Sequence, residues 1–114
     1  MNFDTLMNQL RTEYVQELPE KIQHIANHMQ QRHLQVVTED FHKLKGTGTT
    51  YGIPEISQLA EVVERICIDR PEAATIAVPE ALTILREIHS CRTTAQAFDI
   101  SRDQRFSMLK RLVA

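Results

Sequence analysis

At 114 residues the chain has room for one hydrophobic core and not for two, so a single domain spanning 1–114 with one principal task is expected. Apolar residues at 42% and charged residues at 25% match an ordinary soluble globular domain rather than a disordered one, and no apolar run nears the roughly 20 residues of a membrane span. A net charge of -2 with acids and bases interleaved argues against a nucleic-acid face, the start MNFDTLMNQLR does not read as a targeting signal, and the cytoplasm is the expected location.

Phe3, Leu6, Leu10, Tyr14, Leu18, Ile22, Ile25 and Met29 recur at helical spacing and mark the stripe of a long first helix. Pro19 interrupts it. Proline removes one backbone hydrogen bond and crowds the carbonyl four residues back, so a kink or a break is expected there. The turn is placed at His33. Leu34, Val37, Phe41, Leu44 and Gly48 continue the spacing in a second helix, closed near Tyr51-Gly52, where glycine tolerates left-handed backbone. Pro54 suits the first turn of a third helix that buries Ile56, Leu59, Val63 and Ile66. It should stop near Asp69-Arg70, because Pro71 steers its predecessor out of helical geometry.

An irregular link over 70–78 follows, and Pro79 is expected to open a fourth helix with Ala81, Leu85, Ile88, Cys91, Ala95 and Phe98 on its buried face. After Asp99-Ile100, Ser101 and Gln104 have capping-box spacing and would start an additional C-terminal helix with Phe106, Leu109 and Leu112. Its Lys110 and Arg111 suit the negative end of the helix dipole. Cys67 and Cys91 fall on or beside apolar stripes and read as reduced core thiols. There is no strand alternation and no internal repeat. The class is therefore all-α, an antiparallel helical bundle with a kinked N-terminal helix and short connections. Its stripes can be satisfied within one bundle, so a monomer is expected.

The second helix carries the residues that stand out. At about 100° per residue, His42 lies roughly 130° from the centre of the buried stripe and faces water. Thr38 and Glu39 lie one turn before it on the same face, Lys45 and Gly46 one turn after, and Thr49 a turn further on. Two glycines inside a helix cost about 1 kcal/mol each against alanine, so they answer another demand. Gly48 is on the buried stripe, where close helix packing accounts for it. Gly46 is on the exposed face beside His42, where the missing side chain lets another protein's surface approach the imidazole. An exposed neutral imidazole offers a ring-nitrogen lone pair to an electrophile. Lys45 can hydrogen-bond and partly neutralise a phosphoryl group on that ring, where a carboxylate would repel it.

The other histidines carry less. His24 and His28 are one turn apart, but position 25 is Ile25 rather than a glutamate and no third ligand is evident, so no metal site is expected. His33 and His89 read as a turn residue and a polar-face residue.

The run Phe41-His42-Lys43-Leu44-Lys45-Gly46-Thr47-Gly48-Thr49-Thr50-Tyr51-Gly52 closely resembles the H-x-L-K-G-x-x-x-x-x-G signature of histidine-containing phosphotransfer (HPt) domains. The resemblance extends more weakly through Tyr14 to Ile22, with its Glu17-Leu18-Pro19-Glu20 run, and through Ile53 to Glu64, with Leu59 and Glu64 in familiar places. Beyond Arg70 only helicity agrees. The resemblance implies an elongated four-helix bundle in which His42 is the phosphoacceptor, Lys45 steadies the phosphoryl group, Gly46 leaves room for a receiver domain and Gly52 ends the helix. Thr38, Glu39 and Thr49 would then belong to the partner-facing surface. The implied partners are a response-regulator receiver domain and a sensor or hybrid histidine kinase. No cofactor would reside in the chain itself, and Mg²⁺ would come from the receiver. Thr47 and Thr49 depart from the family's preference for small residues, and the first helix has no separate capping helix before it.

A phosphorylated histidine could also belong to the dimerisation domain of a sensor kinase, but there an acidic residue should follow that histidine and a proline should stand five residues on. Here those positions hold Lys43 and Thr47. No glycine-rich nucleotide loop is present, so a covalent phosphoryl carrier without autokinase activity is expected, not an enzyme. The alternative is an adaptor that docks on receivers without transfer. Such a module would have no need of the histidine and could carry glutamine there.

Overall fold

Asn2 opens the first helix by accepting the Thr5 N–H on its side chain at 2.8 Å. The computed structural model describes residues 2–113. It contains α1 (Phe3–Gln30), α2 (Leu34–Thr50), α3 (Pro54–Asp69), α4 (Ala74–Thr93) and α5 (Gln104–Arg111), with short 3-10 turns at Pro71–Ala73 and Ile100–Arg102. Among the described residues there is no strand, and no helix is long and apolar enough to cross a membrane. The first four helices form the expected antiparallel bundle: each turns back on its predecessor, α2 and α3 pair most extensively, and α1 closes against α4. Leu18, Ile25, Phe41, Leu59, Ile66, Leu85 and Ile88 fill the centre. α5 lies over α3 and α4 through Phe106 and Leu109.

Several boundaries differ from those expected. α4 runs through Pro79, which it was expected to begin with, whereas at Pro19, where a kink or a break was expected, α1 stays continuous. Both prolines sit on exposed positions, where water can serve the carbonyl that proline leaves unbonded. α4 starts earlier because Ala74, Ala77 and Val78 are buried and extend the stripe of Ala81, Leu85 and Ile88. It also ends earlier. Ala95 is exposed with φ +57°, and the Gln96 N–H bonds the Cys91 carbonyl at 2.8 Å, so the chain leaves the helix before Phe98, which is half-buried in the connection. Cys67 is buried and Cys91 half-buried. Asp103, not Ser101, caps α5, accepting from the Arg105 and Phe106 N–H groups, because Ser101 is held in the preceding turn by Asp99. Leu112 lies just past the end of α5. At the other end, Phe3 and Leu6 are exposed rather than buried, since α1 extends past the helices it packs on. His33 lies in the first turn as expected, just before α2, and Arg32 beside it takes left-handed backbone (φ +61°).

The α2–α3 hairpin positions everything of interest. Gly52 takes φ +71°, and the Gly52 and Ile53 N–H groups bond back to Thr49 and Gly48 at 3.2 and 2.8 Å. Arg11 of α1 donates to the Tyr51 carbonyl at 2.7 Å, and Tyr14 stacks on Tyr51 while its hydroxyl meets Thr47 Oγ1 at 2.7 Å. Thr47 therefore ties α1 to α2. At Gly48 the two helices touch: a Cβ there would lie 2.5 Å from Ser57 Oγ, 2.8 Å from Ser57 N and 3.2 Å from the Ile53 carbonyl. Backbone atoms cannot rotate aside, so Gly48→Ala is expected to lower stability by about 2 kcal/mol, outweighing the gain in helix propensity of about 1 kcal/mol. A denaturant midpoint at or above that of the wild type would mean that α3 yields without penalty.

Candidate functional site

Burial of Phe41 and Leu44 fixes the rotation of α2 about its axis and turns the intervening His42 outward, leaving its side chain 67% exposed. On α3, Val63 and Ile66 point into the core and direct Glu64 toward α2. The Glu64 side chain is only 13% exposed and is shared: Oε2 lies 2.7 Å from His42 Nδ1, and Oε1 accepts from Lys45 Nζ at 2.8 Å. An ionised carboxylate can only accept, so the His42 proton belongs on Nδ1. The Nε2 lone pair is left free on the exposed edge of the ring.

The charge state of Glu64 follows from its neighbours. Burial pushes its carboxyl upward, but hydrogen bonds from Lys45 and then from His42, with their positive charges, outweigh this and hold it below the usual glutamate value. The sign of the consequence is fixed. A carboxyl whose value is depressed on folding contributes stability above its unfolded value, and loses that contribution as the pH falls through the folded one. The stability gap between wild type and Glu64→Gln is therefore expected to be full at neutral pH and to shrink below about pH 4.3. Thermal denaturation of both proteins from pH 7 to pH 3 checks this. A gap that stays constant with pH would mean that Glu64 is not ionised against its two partners.

The remaining expected site residues occupy two settings. Glu39 and Gly46 are exposed beside His42, and a Cβ on Gly46 would meet nothing within 4 Å. The fold itself thus makes no demand for glycine at position 46. Thr38 is half-buried, with its hydroxyl on the Leu34 carbonyl of its own helix at 2.8 Å. Thr49 Oγ1 meets Ser57 Oγ at 2.9 Å, so this threonine, although exposed, is engaged with α3. Gly48 and Gly52 lie in the hairpin described above.

The sequence pattern did not point to Ser57, nor to the contact that Glu64 makes. The available signal was their spacing: seven residues apart, both lie on the polar edge of the α3 stripe, where a helix borders its neighbour. His28 Nδ1 lies 2.7 Å from Asp40 Oδ2, an α1–α2 tie, while His24 is exposed. Among the described residues, no three His, Cys, Asp or Glu side chains gather as a metal site.

Comparison with known proteins gives one match. Residues 9–100 fit a family model described as Hpt domain, a span that runs from α1 to the turn before α5. No curated protein and no solved structure matches significantly.

Proposed function

Because the chain belongs to the Hpt domain family, we propose that it carries a phosphoryl group on His42, taken from a receiver-domain aspartate or a kinase and passed to a response-regulator aspartate. Members of that family act in histidine phosphotransfer in two-component systems, as phosphocarriers and not as ATP-binding kinases. The observation that carries the reading is the single carboxylate of Glu64 holding both His42 Nδ1 and Lys45 Nζ while the rest of the imidazole stays in water. A module that only docked would have no use for an imidazole with one nitrogen anchored and the other bare.

In the accepting step, the Nε2 lone pair attacks the phosphorus of an aspartyl phosphate. The N–P bond forms as the P–O bond to the donor's carboxylate breaks, and that carboxylate leaves with the electron pair. The ring acquires positive charge, which Glu64 offsets through the Nδ1–H bond. Lys45 lies one turn from His42 and can swing its ammonium from Glu64 to the phosphoryl oxygens. Passing the group on reverses these changes: the acceptor aspartate attacks phosphorus, and the N–P electrons return to Nε2. Transfer of this kind rests on in-line positioning and on neutralising charge, part of which is met by Mg²⁺ held in the receiver. The chain's own share is the aimed nitrogen and the mobile ammonium.

The test is incubation of the purified chain with a phosphorylated receiver domain and Mg²⁺, with the product located by NMR. Acid-labile phosphate on Nε2 of His42 is the expected result. Stable docking with no label, across several receivers, would replace this reading with that of an adaptor.

A further inference from the structure

Lys45 is fastened to α3 twice. Its ammonium reaches Glu64 at 2.8 Å, and its main-chain carbonyl accepts a hydrogen bond from Ser57 Oγ at 2.7 Å. Ser57 Oγ also meets Thr49 Oγ1 at 2.9 Å, closer than the 3.3 Å from Thr49 Oγ1 to the Lys45 carbonyl. Each hydroxyl has one proton to give. With the Ser57 proton on the Lys45 carbonyl, Thr49 donates to Ser57, and the chain of bonds is complete from α2 to α3 and back.

This tie sits where the helices are closest, because the backbone nitrogen of Ser57 leaves no room for a Cβ at Gly48. Ser57 and Glu64 are two turns apart on one face of α3, while Lys45 and His42 are a turn apart on α2. The tie therefore fixes the axial register of the two helices next to the point where Glu64 must meet two side chains at once. Contacts of 2.7 and 2.8 Å from one carboxylate tolerate little sliding. Packing alone resists separation of the helices, but a smooth Gly48 surface resists sliding poorly.

We propose that Ser57 is a positioning residue for the His42 imidazole, acting through the Lys45 carbonyl and the α2–α3 register to hold His42 in the form with its proton on Nδ1. The proposal rests on the reading of His42 as phosphoacceptor for its relevance to transfer, but the state of the ring can be read without any phosphorylation.

The experiment compares wild type, Ser57→Ala and Glu55→Gln. The last weakens the Glu55–Arg92 pair (2.9 Å), which ties the first turn of α3 to α4 away from the site, and it supplies a control for destabilisation alone. Two-dimensional ¹⁵N NMR of the imidazole gives the tautomer of neutral His42, and transfer from a phosphorylated receiver gives the rate. Ser57→Ala is expected to shift His42 from a single Nδ1–H form to a mixture and to slow transfer about five-fold. Glu55→Gln should change melting temperature and leave both readings as in the wild type. An unaltered His42 tautomer in folded Ser57→Ala overturns the proposal, as does an equal change in Glu55→Gln. If the tautomer shifts as expected but even the wild type takes no phosphate, the positioning role stands and the phosphoacceptor reading fails.

Discussion

Replacing His42 by glutamine is expected to abolish acid-labile phosphorylation by a phosphorylated receiver, while leaving the melting temperature within a degree or two of the wild type on the ~0.5 kcal/mol scale of surface substitutions. The amide has no nucleophilic nitrogen, so no N–P bond can form. The fold loses little because the ring is largely in water and its one recorded partner is Glu64. Glu64 keeps Lys45, so it is not left as an orphaned buried charge. Removing Glu64 instead should weaken the reaction without ending it. A charge-assisted hydrogen bond of about 1.5–3 kcal/mol corresponds to roughly 10- to 100-fold in rate, so Glu64→Gln should retain slow transfer. Radiolabel transfer with acid and base stability tests separates the two variants. Residual acid-labile label on His42→Gln would move the acceptor to another histidine, with exposed His24 the next to test.

Gly46→Gln is expected to raise stability and to destroy docking, two effects of opposite sign at one position. A side chain there meets nothing of its own chain within 4 Å, and glutamine in place of glycine favours an exposed helix by about 0.5–1 kcal/mol. Its amide would project one turn from His42, where a receiver must bring the phosphorus of its aspartyl phosphate to about 3–3.5 Å from Nε2. Affinity and transfer should both fall by about 100-fold or more. Chemical denaturation and titration with a receiver check both halves. A stabilised variant that still docks and transfers would leave this glycine unexplained by partner access.

The rotation of α2 was legible because its stripe is regular: Val37, Phe41, Leu44 and Gly48 are all buried, and from them the exposure of His42 follows by arithmetic. The hairpin glycine and the ends of α3 were legible for a similar reason, since glycine and proline act on the backbone locally. Pro79 misled, because whether proline begins or interrupts a helix depends on which side of it faces water, and that is decided by the packing. The start of α4 was missed at Ala74 because small buried residues give a weak apolar signal. The cap of α5 was displaced from Ser101 to Asp103 by a local turn that competes for the serine. Glu64 and Ser57 act across a helix pair. Their partners are about twenty and twelve residues away along the chain, and no short-range spacing on α3 announces which edge of α2 they will meet.

With Glu64 occupying Nδ1, the imidazole has one nitrogen to offer, on one exposed edge. If His42 is the phosphoacceptor as proposed, donor and acceptor would have to reach the same doorway in turn, with no ternary complex handing the group across. On that proposal the chain would work as a turnstile. Raising the affinity for either visitor lengthens the time the doorway is blocked to the other, so fast relay favours weak and brief encounters. Throughput at saturating partner concentrations would then scale with the total number of carriers. An excess of unphosphorylated receiver would act as an inhibitor of loading, although it is also the destination of the phosphate.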